Sequence, residues 1–382
     1  GDDTYVFRAG DSPVSTPDWI REVVGQGTDT IKLIGGVLPA NVTFSKKSNE
    51  YWYSLKFGTD EIRIVNYVPS GSVMNTTSTL AVEKIAFDNG TILNLIDLLN
   101  ATPVNPYPTT TGNDTINASA ATAAVTINLL AGNDAFTGSN FNDNVTAGDG
   151  NDMVEGRGGN DVMTGGNGTD TVTYAGATAA VTINLATTAA QNTVGAGTDT
   201  ISAFENLTGS NYNDTLTGDA NANVIEGGNG NDIIKGGAGN DSIQGGVGND
   251  TLVGETGTDT VTYAASTAAV TVNLAMTAAQ NTVGAGTDTI STFENLTGSG
   301  YNDTLTGDAN ANTIKGGAGN DTIQGGAGND ILDGEAGTDT VTYAAATTAV
   351  TVNLATTTSQ ATGGAGSDTI TNFENLTGSG YN

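Results

Sequence analysis

Large apolar residues recur every nine positions through most of residues 129–342. The clearest run is 227–253, which reads GGNGNDIIK, GGAGNDSIQ and GGVGNDTLV. The template GGxGxDxUx, with U a large apolar residue, fits sixteen units in three blocks: 129–173, 209–262 and 298–342. A strict short period signals a repeat architecture and is read before local propensity. In each unit the Gly-rich hexamer can turn sharply, because Gly tolerates positive φ. The last three residues suffice for a short strand. Alternation then sends position eight to one face and positions seven and nine to the other. Position eight is apolar in all sixteen units, from Phe136 and Val145 through Ile234 and Ile243 to Leu332 and Val341. That face is the expected core. Position seven is often Thr, which suits an outer strand face. Two units therefore make one flattened coil, and coils stack at roughly 4.8 Å. The predicted fold class is all-β, a parallel β-roll.

Between and after the blocks stand three 35-residue inserts of nearly one sequence, 174–208, 263–297 and 343–377. Each holds an alternating strand (AVTINLA at 180–186, AVTVNLA at 269–275 and 349–355), then a Gly-rich turn, then a strand ending in FENLTGS. Corresponding glycines, Gly168, Gly257 and Gly337, lie 89 and then 80 residues apart. The difference is one nonapeptide, which marks the nonapeptide as the structural quantum. The inserts are expected to continue the roll with wider coils. Tyr174, Tyr263 and Tyr343 are expected to pack at the core edge. The N-L-T sequons at Asn206, Asn295 and Asn375 read as structural asparagines in stacked turns rather than glycosylation sites.

The first hundred residues follow another pattern. Strands are expected at 31–34, 42–44, 51–57, 61–68 and 81–87, with alternation in EIRIVNYV. Asn89 and Gly90 mark a turn, and 91–99 reads as a short helix. Tyr51, Trp52 and Tyr53 fit a half-buried strand better than a ligand platform. The expected organisation is a β-rich domain at 1–101, a Pro/Thr linker at 102–111 (TPVNPYPTTT) and the roll at 112–382.

Position six carries the chemistry. It is Asp in fourteen units: Asp134, Asp143, Asp152, Asp161, Asp170, Asp214, Asp232, Asp241, Asp250, Asp259, Asp303, Asp321, Asp330 and Asp339. It is Asn at Asn223 and Asn312. Turns eighteen residues apart stack, so carboxylates such as Asp232 and Asp250 are brought close and repel unless a cation intervenes. With no His and no Cys, zinc and copper lack good ligands. A hard ion with six to eight oxygens fits, since the turns also offer carbonyls; calcium suits this better than magnesium, which keeps its waters. Asp199, Asp288 and Asp368, in GAGTD or GAGSD turns of the inserts, are further candidate ligands.

These units resemble the repeats-in-toxin (RTX) nonapeptides of secreted bacterial proteins, which form calcium-filled parallel β-rolls. The resemblance implies that the turn Asp residues and turn Gly carbonyls bind multiple calcium ions. Carried onto the best units, the glycines are Gly227, Gly228, Gly230, Gly236, Gly237, Gly239, Gly245, Gly246 and Gly248, then Gly316, Gly317, Gly319, Gly325, Gly326 and Gly328. Asn223 and Asn312 depart from the pattern. The order GDDTYVF, DTIKLIGGVLPANVTF, DEIRIVNYV and VEKIAFDNGT resembles the haemolysin-type calcium-binding-related domain over most of 1–100.

Charge agrees with this reading. The chain has 41 acidic and 11 basic residues, a formal net charge of −30. Residues 109–382 hold only Arg157, Lys235 and Lys315 against 29 acids. Such a segment self-repels until cations bind, and it lacks the basic surface that nucleic acid needs. No run is long enough to span a membrane. The absence of Cys fits a secreted, extracellular protein stapled by metal rather than disulfides. GDDTYVF resembles the end of a nonapeptide, and the final GSGYN stops one residue before the expected Asp. A fragment of a longer repetitive protein is expected.

Without His or Cys as base or nucleophile, and without a GxSxG elbow, no enzyme is expected. The leading expectation is a structural segment of a large cell-surface protein, adhesin or S-layer-like, with surface or self-assembly contacts. Its rival is the folding and secretion module of a type I-secreted enzyme or toxin. Ice binding is disfavoured, because the third turn position carries Asn229, Ala238 and Val247 rather than Thr.

Overall fold

A computed structural model of the protein describes residues 2–8, 18–23, 30–34, 42–46, 52–57, 60–67, 84–87, 92–94, 107 and 109–382. The chain divides into two compact units, residues 1–109 and 110–382. The described residues contain strands and no helix.

In the first unit, Thr4–Arg8, Thr30–Ile34, Lys84–Phe87 and Ile92–Asn94 form one sheet in that order. Asp18–Val23, Asp60–Tyr67, Trp52–Phe57 and Val42–Lys46 form another. Ile31, Leu33, Leu55, Ile62 and Ile85 are fully buried. The helix expected at 91–99 is corrected over 92–94, which pairs antiparallel with Lys84–Phe87, Ala86 opposite Ile92. A short apolar run has no distinguishing period, and an open strand edge supplied the partner. The rest of that stretch, most of the linker, Tyr51 and the side chains of Trp52 and Tyr53 lie outside the described residues.

The second unit is a parallel β-roll. Each unit contributes one short strand, and successive units feed alternate sheets. Strand partners are eighteen residues apart within a block: Ile225 opposite Ile243, Ile234 opposite Leu252, Ile243 opposite Val261. All sixteen position-eight side chains are buried, so the nine-residue apolar period is the core. Position seven faces outward, which leaves Met153, Val162, Val224, Ile233 and Ile331 exposed.

The inserts treat the two faces differently. On one face a thirteen-stranded sheet runs through all three blocks. It passes the first two inserts through Asn206–Thr208 and Asn295–Thr297, with Val172 opposite Leu207 and Val261 opposite Leu296. The other face is cut into separate sheets of five, six and five strands. There Thr198–Ser202 continues the preceding block (Met163 opposite Ile201) and folds back as an antiparallel hairpin with Gln191–Asn192. Thr182–Asn184 instead starts the next sheet, with Ile183 opposite Leu216. The inserts thus continue the roll without a break on one face and divide the sheet on the other.

The third insert reverses this. Its hairpin, Gln360–Gly363 with Gly366–Thr371, joins the thirteen-stranded sheet, and Asn375–Thr377 joins the short one. The cause is parity. One nonapeptide is half a coil, and the block at 298–342 has one unit fewer than the block at 209–262. An odd number of half-coils delivers the chain to the opposite face.

Candidate metal sites

Stacking builds the turns into columns along the roll edges. In each column, the carboxylate of one turn accepts the backbone N–H of the position-six residue one coil earlier. Asp214 N–H donates to Asp232 Oδ1 at 2.8 Å, and Asp232 N–H to Asp250 Oδ1 at 2.9 Å. The same bond runs from Asp134 to Asp152, Asp143 to Asp161, Asp241 to Asp259 and Asp321 to Asp339. The Asn residues keep the column: Asn223 N–H donates to Asp241 Oδ1 and Asn312 N–H to Asp330 Oδ1.

The second carboxylate oxygen sorts the seventeen candidate acids into two groups. In Asp134, Asp152, Asp161, Asp170, Asp232, Asp241, Asp250, Asp259, Asp321, Asp330 and Asp339, Oδ2 is buried with no hydrogen-bond partner. In the other six it is occupied. Asp143, Asp214 and Asp303 end the turns GSNFND, GSNYND and GSGYND, where Ser replaces the second Gly. Ser139, Ser210 and Ser299 donate their backbone N–H to that Oδ2 and their hydroxyl to Oδ1. In the inserts, hydroxyls do the same. Asp199 Oδ2 accepts from Tyr174 and Thr193 at 3.3 Å each. Asp288 Oδ2 accepts from Tyr263 and Thr282, and Asp368 Oδ2 from Tyr343 and Thr362. Tyr174, Tyr263 and Tyr343 are buried, tied to these acids across the coil. The sequon asparagines also serve the backbone: Asn206 Oδ1 accepts Val224 N–H and Asn295 Oδ1 accepts Thr313 N–H.

The glycines complete the cradle. At position one a Cβ would strike the turn's own carboxylate. At Gly227 it would meet Asp232 Oδ2 and the Gly245 carbonyl; at Gly236, Asp241 Oδ2 and, at 2.7 Å, the Gly254 carbonyl. Gly316 repeats this with Asp321 and Gly334, while Gly245 and Gly325 stand against Asp250 and Asp330. Positions two and four have positive φ, as at Gly228 and Gly230, Gly237 and Gly239, Gly246 and Gly248, Gly317 and Gly319, Gly326 and Gly328. Their carbonyls abut the next coil: Gly228 oxygen lies against Gly246, and Gly230 oxygen against Gly248. Each roll edge is thus lined by carbonyl oxygens and unpaired carboxylate oxygens.

Electrostatics make this lining costly when nothing neutralises it. Burial pushes the Asp161 carboxyl up to about 8, Asp232 and Asp330 to about 7, and Asp170, Asp241, Asp250 and Asp321 to about 6. Neighbouring carboxylates add to most of these, while the backbone N–H bonds to Oδ1 oppose them. Asp134, Asp259 and Asp339 are raised for the same first cause. Two carboxylates one strand spacing apart repel by about 3 kcal/mol at an effective dielectric near 20. Repeated along the columns, that repulsion is of the same order as the roughly 5–15 kcal/mol by which a domain is stable.

The donor set fits a hard cation. Among the described residues no group of three or more acidic side chains converges on one point. An ion here would be held by one or two carboxylates and by carbonyls, which suits calcium's irregular oxygen shell.

Comparison with protein families agrees. The family model for the RTX calcium-binding nonapeptide repeat (4 copies) matches residues 137–172, 202–234, 226–261, 291–320 and 306–341. The chain carries RTX calcium-binding repeats. The model for the haemolysin-type calcium binding protein related domain matches residues 54–96. A search of curated proteins returns no match. Two RTX matches begin at 202 and 291, inside the inserts. Each includes a position-six acid that the sequence reading missed: Glu205 and Glu294. Glu205 lies nine residues before Asp214, and Glu294 nine before Asp303. That spacing was the available signal, masked because no Gly-rich hexamer precedes it.

Proposed function

We propose that the roll is a structural segment of a large secreted bacterial surface protein, adhesin or S-layer-like, that folds on calcium outside the cell and performs no catalysis. The observation that carries this is the set of eleven buried, unpartnered Oδ2 atoms on the roll edges. Calcium, when bound, supplies the positive charge that lets these carboxylates stay ionised while buried. The chain's own residues do the rest. Asp Oδ1 bonds fix the column, the position-one glycines leave room, and the apolar position-eight strip closes the interior. The six clamped acids, Asp143, Asp214, Asp303, Asp199, Asp288 and Asp368, serve as ion-free joints. Two near-identical joints 89 residues apart, and a third 80 further on, fit a chain lengthened by duplication, the habit of a surface stalk. Because binding free energy is folding free energy here, circular dichroism in excess chelator should show a largely disordered roll, with β-structure restored by millimolar calcium. An unchanged β spectrum in chelator would sink the coupling.

A further inference from the structure

Each block ends on an Asp whose next coil is an insert rather than a nonapeptide: Asp170, Asp259 and Asp339. All three are at most 1% exposed, with Oδ2 unpartnered. The turn stacked on each supplies a glutamate. Glu205 Oε2 accepts the Asp170 N–H at 2.8 Å, Glu294 Oε2 the Asp259 N–H at 2.8 Å, and Glu374 Oε2 the Asp339 N–H at 2.8 Å. This is the bond that Asp Oδ1 accepts inside the blocks.

The carbonyl lining continues as well. At Gly165 a Cβ would meet the Ala203 carbonyl and, at 2.7 Å, Asp170 Oδ2. At Gly254 the pair is the Thr292 carbonyl with Asp259 Oδ2; at Gly334 it is the Asn372 carbonyl with Asp339 Oδ2. Ala203, Thr292 and Asn372 have φ of 53°, 57° and 59°. That left-handed backbone is unfavourable for residues with a side chain, most of all for β-branched Thr. It recurs in all three inserts, where it puts a carbonyl against the orphaned carboxylate. The other insert acid, Asp199, has its free oxygen filled by hydroxyls, so the two acids of one insert differ in kind.

We propose that each insert completes, with a glutamate, the calcium site at the end of the preceding block. It is built from Asp170, Glu205 and the Ala203 carbonyl, and equally from Asp259, Glu294 and Thr292, and from Asp339, Glu374 and Asn372. The longer glutamate side chain reaches the ion from a turn that lacks the nonapeptide hexamer. The inference rests on the reading that unpartnered Oδ2 atoms bind calcium.

The test is bound calcium per chain, by equilibrium dialysis of the full 382-residue protein. In Glu205→Gln/Glu294→Gln/Glu374→Gln the amide oxygen can still accept the backbone N–H, so β-structure at saturating calcium should persist. The expected result is one ion fewer per substituted glutamate, with the remaining sites unchanged. An unaltered calcium count and binding curve would overturn the inference, provided that Asp232→Asn, inside a block, does lose calcium. If the unsubstituted protein binds none, the underlying reading fails first. Single substitutions, each expected to remove one ion, decide the matter should the triple variant lose its β-structure.

Discussion

The turn at Asp232 and the turn at Asp199 begin alike. In each, Oδ1 accepts a backbone N–H from the preceding coil, from Asp214 at 2.8 Å and from Asp161 at 2.9 Å. Both side chains are buried. They differ at Oδ2, which in Asp199 meets the Tyr174 and Thr193 hydroxyls and in Asp232 meets nothing. A buried carboxylate needs partners for both oxygens. Where the protein supplies hydroxyls, the turn is complete in itself. Where it supplies only carbonyls, the turn waits for a cation. On the proposed reading, the roll alternates stretches that need calcium with joints that do not.

Acidity should separate the two states most widely. Among the unpartnered carboxyls, Asp161, Asp232, Asp241 and Asp330 have folded pKa values raised from near 4 to about 6–8, so at these groups the folded state binds protons more tightly than the unfolded one. Calcium-free stability is then greatest below about pH 4 and is lost as pH rises through 6 to 8. With calcium the ion takes the proton's place, and stability should rise over the same range. Thermal melts from pH 4 to 8, with chelator and with calcium, should show slopes of opposite sign. Parallel slopes would mean that protons and calcium do not compete for these oxygens.

Core and edge should part next. Ile243→Ala leaves a void beneath a fully buried strand and should cost about 2–5 kcal/mol. That deficit should be constant across a calcium series, whereas Asp232→Ala should recover as calcium rises, by mass action. Asp241→Ala should cost less than Asp232→Ala, since Asn223, which keeps the backbone bond, already leaves its column one carboxylate short. Melts at several calcium concentrations give both comparisons.

A smaller effect is expected at the joints. Tyr174→Phe removes one hydroxyl from Asp199 and should cost roughly 1–3 kcal/mol, the penalty for a buried acceptor losing its donor. Denaturant midpoints should fall equally at low and high saturating calcium. A deficit that calcium repairs would place a metal at this joint.

The nonapeptide period exposed the core strip, the stacking interval and the acidic columns, because those depend only on spacing. What spacing could not reveal was the fate of each carboxylate's second oxygen. That depends on Ser139 where a Gly is usual, and on Tyr174, twenty-five residues from Asp199 and meeting it only across the closed coil. The switch of face at the third insert follows from counting half-coils, but only once alternate units are known to feed opposite sheets. The strand at Ile92–Asn94 was hidden for a different reason. Its apolar run is too short to carry a period, and pairing with Lys84–Phe87 decided its form.

The most direct test of this division counts ions in two conservative variants. Asp232→Asn and Asp199→Asn each remove one buried charge from a stacked turn of similar geometry. Bound calcium measured by equilibrium dialysis should fall in Asp232→Asn and match the unsubstituted protein in Asp199→Asn. Equal losses in the two, or a loss only in Asp199→Asn, would contradict the assignment of calcium to the unpartnered oxygens.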